Sequence, residues 1–187
     1  MQNASVILTK NSVLQKMGGL LQQVADRQQM AVAAGLTKDT MLFLNGPKIS
    51  KGENYLGLPY LILDYPRYGA RTDLFFIRSM FWWGNFFSST LHVAGSFRPE
   101  AATRAAASKD TLEQHYIGVN TDQWVHHFEG SNFRPIEGMD GAEYARACRN
   151  GDHLKLGIRW PLQQWEAAPE LLYQNWVQML ELCGLVA

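Results

Sequence analysis

Residues 74–97 read LFFIRSMFWWGNFFSSTLHVAGSF, and no other window of the chain is as apolar, as aromatic or as clearly punctuated by a turn. Gly84-Asn85 separates two apolar runs, and both residue types tolerate the positive φ that two-residue hairpin turns require. The window therefore predicts a β-hairpin at the centre of a sheet. A two-residue loop would set Trp83 against Phe86, Trp82 against Phe87, Phe81 against Ser88 and Ser79 against Thr90. Strand alternation then sorts the side chains. Phe76, Arg78, Met80, Trp82, Phe87, Leu91 and Val93 form a core face, while Phe75, Ile77, Ser79, Phe81, Trp83, Phe86, Ser88, Thr90 and His92 form the other. The second face, aromatic at the turn end and hydroxyl-bearing further along, is where a ligand would lie. A one-residue change in loop length would exchange the faces of one strand.

The rest of the chain surrounds this hairpin. Val13, Leu14, Met17, Leu21 and Val24 share one helical face within residues 11–34, with Asn11 or Ser12 as cap and Gly35 as stop. Gly18-Gly19 predicts a bend or a close contact inside that helix. Two irregular strands follow, 41–50 and 55–65, joined at Lys51-Gly52-Glu53-Asn54, with Pro47 and Pro59 confined to edges or bulges and a loop over 65–69. Beyond Phe97, RPEAATRAAASKD predicts a mostly solvated helix entered at Pro99. Asp110 with Glu113, and Asp140 with Glu143, fit caps of further helices, the latter closed by Asn150-Gly151. Gln123–Gly130 reads as a strand, Ser131–Gly138 as a loop, and His153–Trp160 as a half-buried strand. A final helix opens at Pro169, buries Leu172, Trp176, Met179, Leu180 and Cys183, and ends at Gly184. The order predicts one α+β domain over residues 1–187. It is a mostly antiparallel sheet built from hairpins, with the N- and C-terminal helices on one face.

Composition restricts function. Apolar residues make up 47% and charged residues 18%, a globular profile. Lys plus Arg and Asp plus Glu both number 17, and this balance argues against nucleic acid as a partner. No apolar run is long enough to span a bilayer, and MQNASVILTK lacks the charge and apolar length of a secretory signal, so a cytoplasmic protein without a membrane partner is expected. Cys148 and Cys183 read as reduced, buried small hydrophobes. The motifs of common hydrolases, nucleotide enzymes, dehydrogenases and zinc sites are absent, and no cofactor is expected.

Individual residues still carry chemistry. His92 beside Ser79, Ser88 and Thr90 would serve as a general base toward a hydroxyl or a substrate, or as a structural imidazole between strands. His127 and Glu129 would offer two metal ligands but lack a third, which favours a solvated strand face. Arg78 on a core face requires a partner, and Asp64 on the preceding strand is the candidate; the alternative role is an anion clamp. Trp82, Trp83, Phe86 and Phe87, with Phe81, read as core, as a dimer contact or as a ligand platform.

The run GENYLGLPYLILDYPRY followed by FFIRSMFWWGNFFSSTLHVAG resembles a family of uncharacterised bacterial proteins over about residues 48–95. The resemblance implies a bacterial cytosolic origin and transfers no activity and no catalytic residue. The expected function is non-catalytic binding of a small molecule or a partner chain by the aromatic sheet surface, as a single chain or as a homodimer. The alternative is a small-molecule enzyme with His92 as base beside Ser88 or Thr90 and Arg78 as clamp.

Overall fold

The computed structural model describes residues 4–38 and 41–186, so Met1–Asn3 of the N-terminal run and Thr40 lie outside the described residues. Four helices and seven strands form the expected α+β fold: α1 (Ala4–Ala33), β1 (Lys48–Tyr55), β2 (Leu58–Ala70), β3 (Asp73–Trp82), β4 (Phe86–Ala94), α2 (Arg98–Ala107), β5 (Tyr116–Gly118), β6 (Phe133–Pro135), α3 (Gly141–Arg149), β7 (His153–Pro161) and α4 (Ala168–Leu182). All pairings are antiparallel, in the order β1-β2-β3-β4-β7-β5-β6. No helix among the described residues is long and apolar enough to cross a membrane.

The central hairpin forms, but its loop has three residues. The Asn85 N–H donates to the Trp82 carbonyl at 3.1 Å, and Gly84 takes φ +71°. This closes a turn whose third residue needs the left-handed region. Trp82 therefore opposes Phe86, Phe81 opposes Phe87, Ser79 opposes Ser89, Arg78 opposes Thr90 and Phe76 opposes His92. Relative to the two-residue expectation, every β4 side chain changes face. Phe75, Ile77, Ser79 and Phe81 share a side with Phe87, Leu91 and Val93, while Arg78, Met80 and Trp82 share the other with Phe86, Ser88, Thr90 and His92.

The first of these faces carries the helices. Leu14, Met17, Leu21 and Val24 of α1 pack on Leu61, Leu63, Phe81 and Phe87. Trp176, Met179 and Leu180 of α4 pack with Phe75, Ile77, Leu91, Val93, Leu154 and Leu156. Arg27 ties α1 to α4 through an ion pair with Glu170 and lies over the Tyr173 ring. The α2 helix is less solvated than its composition suggested, because Ala101, Ala102 and Ala105 are buried in the same core; small side chains let the backbone approach closely. Gly18 and Gly19 sit inside an uninterrupted helix, and nothing beyond its own backbone lies within 4 Å of where a Cβ would stand, so no close contact requires glycine at either position.

Further expectations are corrected. The first hairpin turns at Leu56-Gly57, both at positive φ, rather than at 51–54, and Asn54 Oδ1 accepts from the Gly57 N–H. Met41–Phe43 is a single 3₁₀ turn, and β2 runs on through the expected 65–69 loop with an irregularity after Asp64, where the Tyr65–Pro66 peptide is cis. Residues 123–130 form no strand; they belong to a long loop, and the short strands β5 and β6 flank it. The Asp110 region is one 3₁₀ turn, whereas Asp140 caps α3 as expected by accepting from the Glu143 N–H at 2.7 Å.

Trp176 holds the β2 irregularity: its indole N–H donates to the Tyr65 carbonyl at 2.7 Å, and its ring stacks on Tyr65 at 6.1 Å. Replacing it with phenylalanine strands a buried carbonyl and leaves a gap. Trp176→Phe is expected to lower unfolding free energy by about 1–3 kcal/mol in urea titration.

Candidate functional site

The face of the sheet without helices is covered by the loop 119–132, which joins β5 to β6. A 14-residue connection of irregular backbone must satisfy its own polar groups, and here the sheet does so. The Tyr55 hydroxyl accepts from the N–H groups of His126 and His127 at 2.7 and 3.0 Å. Lys155 Nζ donates to the Val125 carbonyl at 2.5 Å, and Asn132 Nδ2 donates to the carbonyls of Val125 and His127. Phe128 lies stacked on Phe133 at 4.5 Å, among Ile62, Met80, Trp82 and Phe86. Gly157 makes this approach possible, since a Cβ there would stand 3.0 Å from the Phe128 ring.

Beneath the loop the sheet carries charge. Arg78 forms a bidentate pair with Asp64, at 2.7 Å through Nε and 2.8 Å through Nη2, as its position on a covered strand required. Its Nη1 donates to His126 Nε2 at 3.1 Å. That nitrogen must therefore be bare, and burial first, then Arg78, pushes the imidazole down to about 3. His92 lies against Trp124 and His153 and donates from Nε2 to Gln123 Oε1 at 2.9 Å; burial pushes it down to about 4 despite that bond. Lys155 is 3% exposed, makes no ion pair among the described residues, and is pushed down to about 8 chiefly by burial, with Arg78 adding repulsion. Chemically this is a buried layer of two neutral imidazoles, one ion pair and one weakened ammonium, each engaged by the loop.

The proposed site residues are thus divided between two faces. Asp64, Arg78, Ser88, Thr90 and His92 come together under the loop, with Ser88 buried and Thr90 half-buried. Ser79 does not join them; it is buried on the helix side opposite Ser89. The expected grouping of Ser79 with His92 fails because the third turn residue shifted β4 by one position. Phe81 and Trp83 are also on the helix side and line a groove with Val13, Met17, Phe87 and Trp165. His127 Nδ1 accepts from the Glu129 N–H at 3.2 Å, and no group of three metal-ligating side chains occurs among the described residues.

Sequence reasoning did not single out Tyr55, Gln123 or Lys155. Tyr55 and Gln123 carry no local signal. Lys155 did carry one: it alternates with Leu154 and Leu156, but a lysine in that pattern reads as solvent-facing unless a loop is known to cover it.

No family model matches the chain, and neither a curated protein nor a solved structure matches it.

Two measurements test this layer. His92 and His126 take up protons in the unfolded chain near pH 6.5 but in the fold only near 4 and 3, while Lys155 does so near 10.5 and 8. The unfolded state binds more protons between each pair of values, so these groups make stability rise with pH from about 3 to 6.5 and again from about 8 to 9, above which the Cys148 and Cys183 thiols, pushed up by burial, oppose Lys155 because the fold then holds the extra protons. Urea midpoints measured from about pH 3 to 9 should show both rises, and His126→Gln should reduce the acidic one, to which His92, His115 and His153 also contribute. Asp64→Asn, which leaves the Arg78 guanidinium uncompensated, is expected to cost about 3 kcal/mol by the same method, and Asp64→Leu with Arg78→Met should recover most of it.

Proposed function

We propose that the protein is a non-catalytic binding module whose ligand is a hydrophobic anion, an acyl chain ending in a carboxylate. The groove at the tip of the β3-β4 hairpin supports this reading. It has a volume of about 400 Å³, opens to the surface, and is lined by Val13 and Met17 of α1, by Phe81, Trp83 and Phe87 of the hairpin, and by Leu162 and Trp165 after β7. That volume falls in the range of small-molecule sites. The lining is almost wholly carbon, and its one charged residue is Lys16. The Lys16 ammonium stands 3.3 Å from the centre of the Trp165 ring and makes no ion pair among the described residues. An apolar chain would bury the aromatic walls, and a terminal carboxylate would meet the ammonium at the rim.

The observation that carries the reading is this pairing of an apolar trough with a single unpaired cation. Titration calorimetry with decanoate and decanol tests it. Decanoate is expected to bind saturably at one per chain and about tenfold more tightly than decanol, a difference of about 1.4 kcal/mol. Lys16→Glu should abolish the preference while sparing decanol, and Met17→Glu should remove both. Equal binding of the two ligands, or binding that survives Met17→Glu, would overturn the proposal. So would a dimer in light scattering that Met17→Glu dissociates, since a second copy would then be the occupant.

A further inference from the structure

The β1-β2 turn, the β3-β4 turn and the start of α1 lie at the same end of the molecule, and each carries apolar side chains there. The β1-β2 turn is Leu56-Gly57 and the β3-β4 turn is Trp83-Gly84-Asn85. They stand side by side: the Trp83 N–H donates to the Pro59 carbonyl at 3.0 Å, and Leu58 lies beside Gly84. Lys10 of α1 pairs with Glu53 of β1 at 2.7 Å, and Val13 lines the groove with Trp83, so the helix reaches this end and its first turns continue past it. Val6 and Ile7 precede Val13 and Leu14 by seven residues each and so repeat the stripe that packs on the sheet. Here the stripe has no sheet to meet. Val6, Ile7 and Leu8 are 62–64% exposed, whereas Leu14 is 5%.

Leu56 is the sharpest anomaly. It is 66% exposed and takes φ +50°. Two-residue turns of this kind favour Asn, Asp or Gly there, because a Cβ crowds the backbone in the left-handed region. Neither backbone conformation nor burial in the fold favours a leucine at this tip, which leaves a contact outside the chain to account for it.

Shape and charge both select the occupant. A helix end and two hairpin turns form separate prongs, and a folded partner would need a matching hollow for each, whereas the fluid interface of a bilayer closes round any shape. Lys10 and Lys51 share the one carboxylate of Glu53, and Lys16 lies over the Trp165 ring, so this end carries cations that its ion pairs do not neutralise. Glu166, next in the chain to Trp165, offsets at most one of these charges. Tryptophan settles at the headgroup level of a membrane, and each lysine near an anionic leaflet adds attraction.

We propose that this end of the molecule rests on an anionic membrane surface, with Leu56, Leu58 and the first turns of α1 entering the headgroup layer and Lys10, Lys16 and Lys51 meeting the lipid anions. A surface contact of this kind needs no spanning segment, and it stands against the expectation of a protein without a membrane partner. It does not depend on what the apolar groove binds.

Co-sedimentation of the full chain with vesicles of phosphatidylcholine alone, and of phosphatidylcholine and phosphatidylserine in equal amounts, tests the proposal. Binding to the mixed vesicles is expected to be at least about tenfold tighter than to the neutral ones. Leu56→Asn with Leu8→Gln should weaken that binding at least about tenfold. The urea midpoint should not fall, because both positions are exposed and asparagine takes positive φ more readily than leucine. Neither residue lines the groove, so decanoate binding by the double variant should persist, and the two readings fail separately. The proposal is overturned by no sedimentation with the mixed vesicles, by equal binding to neutral ones, or by undiminished binding of the double variant. A concentration-dependent dimer that the double variant dissociates would also overturn it, since a second copy would then cover this end.

Discussion

The hydrogen bond from the Asn85 N–H to the Trp82 carbonyl sets the register on which the whole sheet depends. It gives the central hairpin a three-residue loop, and that loop length assigns each β4 side chain to a face. With this register, Phe87, Leu91 and Val93 meet the helices together with Phe81, Ile77 and Phe75. β7 extends the same alternation by pairing with β4, so Leu154 and Leu156 join the core while Lys155 turns away from it. A one-residue slip would instead direct His92 into the helical core and Leu91 toward the polar layer, at the cost of an unpaired polar group and a lost apolar contact.

Both faces of the middle strands are buried, by different means. The helical side is closed by apolar packing around Trp176, Leu180 and Leu21, which is nondirectional and tolerant of neighbours. The other side is closed by a loop that has no ladder of its own and relies on individual bonds, donated to the Tyr55 hydroxyl and received from Asn132 and Lys155. Burying a lysine and a guanidinium there is costly, and the layer persists because Asp64 neutralises Arg78 and the Val125 carbonyl receives Lys155. Burial in turn keeps His92 and His126 uncharged, which holds the net charge of the layer down.

The proposed ligand groove lies where α1 meets the sheet. The groove beside Trp83 arises because α1 crosses the hairpin near its tip, and the turn projects its aromatic residues past the helix.

The sequence by itself determined the element types over most of the chain: the central hairpin, the terminal helices, the Asp140 cap, the α+β class and the pairing of Arg78 with Asp64. These follow from local signals, such as periodicity, turn residues and the demand that a covered charge be neutralised. Tertiary structure decided the register of β3 against β4, because two- and three-residue loops around Gly84-Asn85 have the same local signature and only the burial of both faces separates them. It also decided that 123–130 is a covering loop rather than a strand. The alternation of Trp124, His126 and Phe128 suits either form, and the choice rests on a hydrogen bond to the Tyr55 hydroxyl and one from Lys155, 71 and 30 residues away from their partners in the chain. The buried hydrogen bonds that join His115, Asn175 and Ser89 were invisible for the same reason: a group that spans three separate elements has no spacing to read.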